Sequence, residues 1–282
     1  VIEQYVFPEI AEQVAGLLQQ RLADGAYDVD SAEELARLVT ADLQSVNSDR
    51  HLRLKHHADP VSPEQGAATL DAMRRDFDTS LGGAPLVQLL DGGIAVVELA
   101  PMLFPLEWAA EPLAAALTLA SRAQALIVDL RANRGGDPDT VAFACSYLLD
   151  RRTHLNTMHW RSGGRSEQSW SLPHVPGARF GGTKPLYVLT SDLTFSAAEE
   201  LAYNLQQLGR ATIVGERTRG GAHPCKGWTV HPHLEVTVPM GRAVNPVSGT
   251  NWEGIGVQPD IPCAAVDALD QAHALALARL AD

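Results

Sequence analysis

Residues 125–139 read ALIVDLRANRGGDPD: a six-residue apolar run broken only by Asp129, then two adjacent glycines, then Pro138 ahead of a helix-forming segment. A run this short, bounded by a glycine turn, is a buried strand, and the segment from Asp139 to Leu149 reads as the helix that follows it. The same order recurs at residues 185–205, PLYVLTSDLTFSAAEELAYNL: a strand from Pro185 to Thr190, a polar turn, then a helix after Ser196. A further strand is expected from Ala211 to Glu216. Strands alternating with helices imply a layered α/β core.

Upstream of that core, Leu86 to Leu90 and Ile94 to Leu99 flank Asp91-Gly92-Gly93 and read as a hairpin. An Ala/Leu-rich helix starts at Trp108. Downstream come a β-rich stretch from Gly227 to Val238 and a helix from Val266 to Leu280. The first part of the chain is helical. Ile10, Val14, Leu17, Leu18 and Leu22 recur at helical spacing between Pro8 and Asp24; Ser31 and Glu34 form a capping box before a second helix; Ser62 and Pro63 open a third. The expected division is a helical subdomain over residues 1–80 and an α/β core over 81–282.

With 45% hydrophobic residues, the 282-residue chain has ample material for a buried core. Acidic residues outnumber basic ones 34 to 22 and no Lys/Arg-dense stripe occurs, which argues against nucleic-acid and membrane-surface partners. The most apolar region, Ile94 to Ala120, is interrupted by Glu98, Pro101, Pro105, Glu107 and Glu111 and does not read as a transmembrane segment. Cys145, Cys225 and Cys263 fit neither a disulfide framework nor a paired zinc site and read as buried structural thiols. No metal and no cofactor are expected: His231 with His233, and His56 with His57, lack metal-motif spacing, and the glycines match no nucleotide-binding pattern. The chain opens on Val1 without a leader-like segment, so an export signal would lie upstream. Cytoplasmic and exported placements both stay open.

Ser196 is placed at a helix N-terminus, where unpaired amides and the helix dipole favour developing negative charge. That suits a nucleophile, but Ser196 with Glu199 also reads as an ordinary capping box. Gly135 and Gly136 can turn backbone amides outward as an anion nest, or simply make a turn. Among ten histidines, His51 and His223 sit in loops with functional-looking neighbours, and Glu253 in SGTNWEGIGVQPD can orient a histidine. Trp252 beside it reads as packing.

The segments YVFPEIAEQVA (5–15), DRHLRL (49–54), VDLRANRGG (128–136), LTSDLTFSAAEELAY (189–203), GRATIVGERTRGGAHP (209–224) and NWEGIGVQPDI (251–261) resemble, in this order, the tail-specific or C-terminal processing serine protease family. The branch containing the tricorn core and the interphotoreceptor retinoid-binding protein modules is nearer. The resemblance implies a crotonase-like core of strand-strand-helix units behind a helical N-terminal subdomain, with Ser196 as nucleophile. It implies an oxyanion hole from Ala197 and the Gly135/Gly136 turn. The processing proteases use a lysine base, but RTRGGAHP contains none and Lys226 lies further on. The tricorn-like arrangement implies His51 as base and Glu253 as orienting acid. A serine precedes the histidine in that branch. Here Arg50 stands there, leaving Ser48 as a relay or a direct Glu253 contact. The segment between the third helix and the hairpin is too short for a PDZ domain.

The resulting expectation is a serine hydrolase acting on peptide bonds. The alternative is a binding module for a hydrophobic small molecule, retinoid or fatty-acid-like, or a biosynthetic hydrolase or transferase using the same site.

Overall fold

A computed structural model of the chain describes residue 1, residues 3–61 and residues 63–282, so Ser62, expected to open the third helix, lies outside the described residues. The helices are α1 (Pro8–Ala23), α2 (Ala32–Ser45), α3 (Pro63–Thr79), α4 (Leu106–Ala120), α5 (Pro138–Leu148), α6 (Ala197–Gln207) and α7 (Ala268–Ala281). The strands are β1 (Arg53–His56), β2 (Leu86–Leu90), β3 (Ile94–Glu98), β4 (Ala125–Asp129), β5 (His154–Trp160), β6 (Ser166–Trp170), β7 (Leu186–Thr190), β8 (Thr212–Gly215), β9 (Cys225–His231), β10 (Leu234–Pro239), β11 (Gly241–Val244) and β12 (Ile261–Pro262). Among the described residues no helix is long and apolar enough to cross a membrane.

The chain divides into two compact units. The first comprises Val1–Ala72, Met158–Glu167 and His223–Val244; the second comprises Met73–Thr157, Gln168–Ala222 and Asn245–Asp282.

In the first unit α1 starts on Pro8, whose missing N–H costs nothing in the first turn. The hydroxyl of Ser31 accepts the Glu34 amide at 3.1 Å and caps α2. The Glu34 carboxylate does not close the box but pairs with Arg37 at 2.7 and 2.9 Å. The unit is not purely helical, because β1, β10 and β9 form an antiparallel sheet in that order, with Leu54 opposite Val236. Tyr5, Ala11, Val14, Leu43, Leu52 and Val238 make its core. Each such large apolar side chain contributes about 1.5–3 kcal/mol on burial.

In the second unit a six-stranded sheet runs β12-β8-β7-β4-β3-β2, parallel except for the hairpin strand β2. All five residues of β4 are buried, as a central parallel strand covered on both faces requires. On one face, Ala268, Ala272 and Ala276 of α7 sit at helical spacing against Ile94, Val96, Ile127, Leu189 and Val214. The mixed α/β expectation holds for this sheet. Of the three cysteines, only Cys145 is buried; Cys263 is half-buried and Cys225 exposed, because β9 leaves its first residue open to solvent.

α5 packs between α4 and α6. Asp137 links two of their N-termini: its Oδ1 accepts the Asp139 amide that begins α5, and its Oδ2 accepts the Leu106 amide that begins α4. The C-termini are capped by cations. Lys184 Nζ donates to the carbonyls of Ser121 and Ala123 after α4, and Arg210 Nε donates to Leu148 O at the end of α5. Positive side chains here complement the dipoles, whose positive ends converge where β4 and β7 end.

Candidate active site

β7 ends at Thr190, and the turn after it is fastened to the turn after β4 by hydroxyls that donate and accept. Ser191 Oγ donates to Arg131 O at 2.6 Å, and Thr194 Oγ1 donates to Leu130 O at 2.9 Å while accepting the Ser191 amide. The Phe195 amide donates to Asn133 O at 3.2 Å. This leaves Ser196 at a sharp corner with φ 54° and ψ −120°, a backbone conformation that a residue with a Cβ adopts at a cost of about 1–3 kcal/mol. α6 starts at the next residue, so the corner aims Ser196 at the positive end of a helix.

Gly135 packs against that corner with φ 103°, and Gly136, with φ 137°, packs against Leu103. A Cβ on Gly135 would lie 2.8 Å from Ser196 Cβ and 2.9 Å from Phe195 O, and one on Gly136 would run into the Leu103 carbonyl. No residue other than glycine fits either position unless the turn moves. The two amides then differ. Gly135 N–H donates to Asn133 Oδ1 at 2.9 Å, whereas the Gly136 and Ala197 amides have no acceptor among the described residues. Of the expected oxyanion donors, Ala197 and Gly136 therefore hold open amides, and Gly135 supplies the close approach.

Below the corner, the Glu199 carboxylate accepts the Ser196 amide, the Thr218 hydroxyl and the Gly220 and Gly221 amides. Burial pushes this carboxyl above its ordinary pKa, and the four donors pull against that shift. Glu253 accepts the Ala222 amide, and Trp252, 2% exposed, donates from Nε1 to Gly221 O at 2.8 Å. The tryptophan is packing, as its sequence context suggests. Thus Ser196, Ala197 and Gly135 meet at one corner, Gly136 follows in the chain against Leu103, and Glu253 is tied to the loop that Glu199 fastens beneath it.

His51 and Ser48 belong to the first unit. Ser48 takes a φ of 60°, and its amide donates to Gln44 O beyond α2. The His51 amide donates to Asp49 Oδ1 at 3.1 Å and its carbonyl accepts the Thr237 hydroxyl. Burial drives the imidazole down to about pKa 4, against the raising effect of Asp49, so it is neutral at neutral pH. Asp49 escaped the sequence reading. It is fully buried, and its Oδ2 accepts the Tyr5 hydroxyl at 2.8 Å and lies 2.8 Å from His223 Nδ1. Its signal in the sequence is an acid two residues before the candidate histidine.

The family model "Peptidase family S41" matches residues 93–263, and the model "N-terminal domain of Peptidase_S41 in eukaryotic IRBP" matches residues 1–78. Among solved structures, a lipoprotein from Streptococcus agalactiae is similar over 99% of this chain and 92% of its own, at 14% identity and a TM-score of 0.60. The tricorn protease is similar over 99% of this chain and 36% of its own, at 13% identity and a TM-score of 0.62. The photosystem II D1 C-terminal processing protease aligns at 24% identity and a TM-score of 0.48 over 67% of this chain, which spans about half (49%) of that protein's length.

Proposed function

The chain belongs to peptidase family S41, and on that premise we propose that it is a serine peptidase that forms an acyl-enzyme on Ser196. The observation that carries this reading is the strained Ser196 corner at the start of α6, with Gly135 seated against its Cβ. Ser196 Oγ attacks the scissile carbonyl carbon while His51 takes the hydroxyl proton. The amides of Ala197 and Gly136 hold the resulting oxyanion. Collapse of the intermediate breaks the C–N bond, His51 returns the proton to the leaving amine, and water then hydrolyses the ester by the same route. Glu253 orients the histidine and stabilises its protonated form, with Ser48 as the alternative relay.

A histidine base is supported by the neutral imidazole that burial gives His51. A lysine base is not, since residues 216–224 contain no lysine and Lys226 stands exposed on β9 with Nζ 5.7 Å from the Trp228 ring. The test is fluorophosphonate labelling with the adduct mapped by mass spectrometry. The expected adduct sits on Ser196, disappears in Ser196→Ala and forms at least a hundredfold more slowly in His51→Ala. Labelling that survives Ser196→Ala refutes the assignment.

A further inference from the structure

The strands of the six-stranded sheet have a second end. Ser196 follows the C-terminal end of β7, whereas a recess of about 380 Å³ opens where β7 and β8 begin. The length of β7 alone separates the two by roughly 15 Å. Thr183, Lys184, Arg210, Thr212 and the exposed Arg279 of α7 all line this recess. In a chain of net charge −12, three cations thus share one concave surface, and none of them has a carboxylate within ion-pair reach among the described residues.

Two of the three are fixed around one ring. Lys184 Nζ lies 4.1 Å and the Arg210 guanidinium carbon 5.7 Å from the ring centroid of the buried Phe180. Both also donate to carbonyls, Lys184 to Ser121 and Ala123 and Arg210 to Leu148 and Gly181, so neither swings away without uncapping α4 or α5. Burial and the charge of Arg210 hold the Lys184 ammonium below its ordinary pKa, and burial takes Arg210 down to about 10. Asp150 acts on Arg210 only from beyond ion-pair distance, while its Oδ1 accepts the Gly182 amide at 2.7 Å. Positive charge in the recess is therefore under-compensated. Donors are left over as well. Lys184 uses two of the three N–H groups of an ammonium, Arg210 keeps Nη1, and the Arg279 guanidinium and the hydroxyls of Thr183 and Thr212 make no hydrogen bond among the described residues.

We infer that this recess is a phosphate-binding site, in which Lys184, Arg210 and Arg279 surround the phosphate group of a small phosphoester or of free phosphate, with Thr183 and Thr212 as further donors. A phosphate carries up to two charges and several acceptor oxygens, so it takes donors from several directions; a carboxylate offers one charge in one plane. The recess is larger than a bare phosphate ion and has room for the remainder of an ester. The inference is independent of the role of Ser196.

The test is isothermal titration calorimetry of the whole chain with inorganic phosphate, glycerol 3-phosphate and acetate, each at constant ionic strength in chloride. Both phosphate compounds are expected to bind saturably with half-saturation below about 1 mM, and acetate at least about tenfold more weakly. Arg279→Gln, on the exposed face of α7, weakens phosphate binding about five- to tenfold, whereas Arg37→Gln on α2 leaves it unchanged. Substituting Lys184 or Arg210 uncaps a helix, so these are read in the unaltered chain: phosphate slows acetylation of Lys184 by an activated ester, followed by mass spectrometry, and does not slow that of Lys226. Tighter binding of glycerol 3-phosphate identifies an ester as the ligand, and equal binding identifies the phosphate group as sufficient. Absence of saturable binding of either phosphate compound up to about 10 mM overturns the inference. So does acetate binding as tightly as phosphate, and so does binding that neither Arg279→Gln weakens nor Lys184 protection accompanies.

Discussion

The carboxylate of Glu199 holds the amide of Ser196 at 2.8 Å, so the residue that completes the capping box also fixes the corner on which the proposed nucleophile sits. Its remaining capacity goes to Thr218, Gly220 and Gly221. Replacing it by alanine strands several buried donors at once, each costing about 1–3 kcal/mol. Glu199→Ala is expected to lower stability by at least about 3 kcal/mol in urea denaturation and to slow Ser196 labelling. Unaltered stability would mean that the loop is held by something else.

Gly135→Ala addresses the corner from the other side. The added methyl lies within 3 Å of both Ser196 Cβ and Phe195 O, and φ of 103° is unfavourable for alanine. Labelling of Ser196 is expected to fall by two orders of magnitude or more, while circular dichroism still reports a folded chain. A labelling rate within a factor of three of the wild type would show that the turn does not shape the site.

The pH profile follows from His51. With His51 as the proposed base, its folded pKa, lowered to about 4 from 6.5, keeps the imidazole unprotonated through mildly acidic pH. The acid limb of kcat/KM should therefore fall near pH 4 rather than near 6.5. Between those values the unfolded chain binds the extra proton, so stability drops as pH falls through the window, by about 3 kcal/mol at most. His51→Gln removes that slope, which thermal melts at several pH values will register.

Glu200 bends the profile the opposite way. Burial raises its carboxyl to about pKa 7, even though Asn156 Nδ2 donates to it at 2.8 Å. The folded state holds this proton above pH 4.5, where the unfolded state has lost it, so the contribution is complete below 4.5 and is lost as pH rises through 7. Glu200→Gln keeps an acceptor for Asn156 and removes the charge. It should raise the melting temperature at pH 8 and change little at pH 4.5; equal shifts at both would reject an ionised Glu200.

What the sequence reveals and what it hides divide along chain separation. The strands β4 and β7 and the Ser196 turn are legible because each is a local pattern: an apolar run, a polar turn, a helix start. β1 is only Arg53–His56, short and polar except for Leu54, and it becomes a strand because residues 234–237 pair with it. Asp49 is hidden for the same reason, since its partners Tyr5 and His223 stand 44 and 174 residues away. The difference between Gly135 and Gly136 depends on which amide the Asn133 side chain reaches, and two neighbouring glycines look alike in a sequence.

The first unit draws on three separate stretches of chain, the last being His223–Val244. That order has a temporal cost during synthesis. Once residue 72 has been made, roughly ten to thirty seconds of translation at typical rates separate α1 and α2 from the strands that complete their core. Throughout that interval Val14, Leu43 and Leu52 lack the contacts of Val236 and Val238. A nascent chain of this protein exposes its own N-terminal helices to chaperones and to other chains until residues 223–244 have been made, and an isolated fragment 1–72 would remain in that condition permanently.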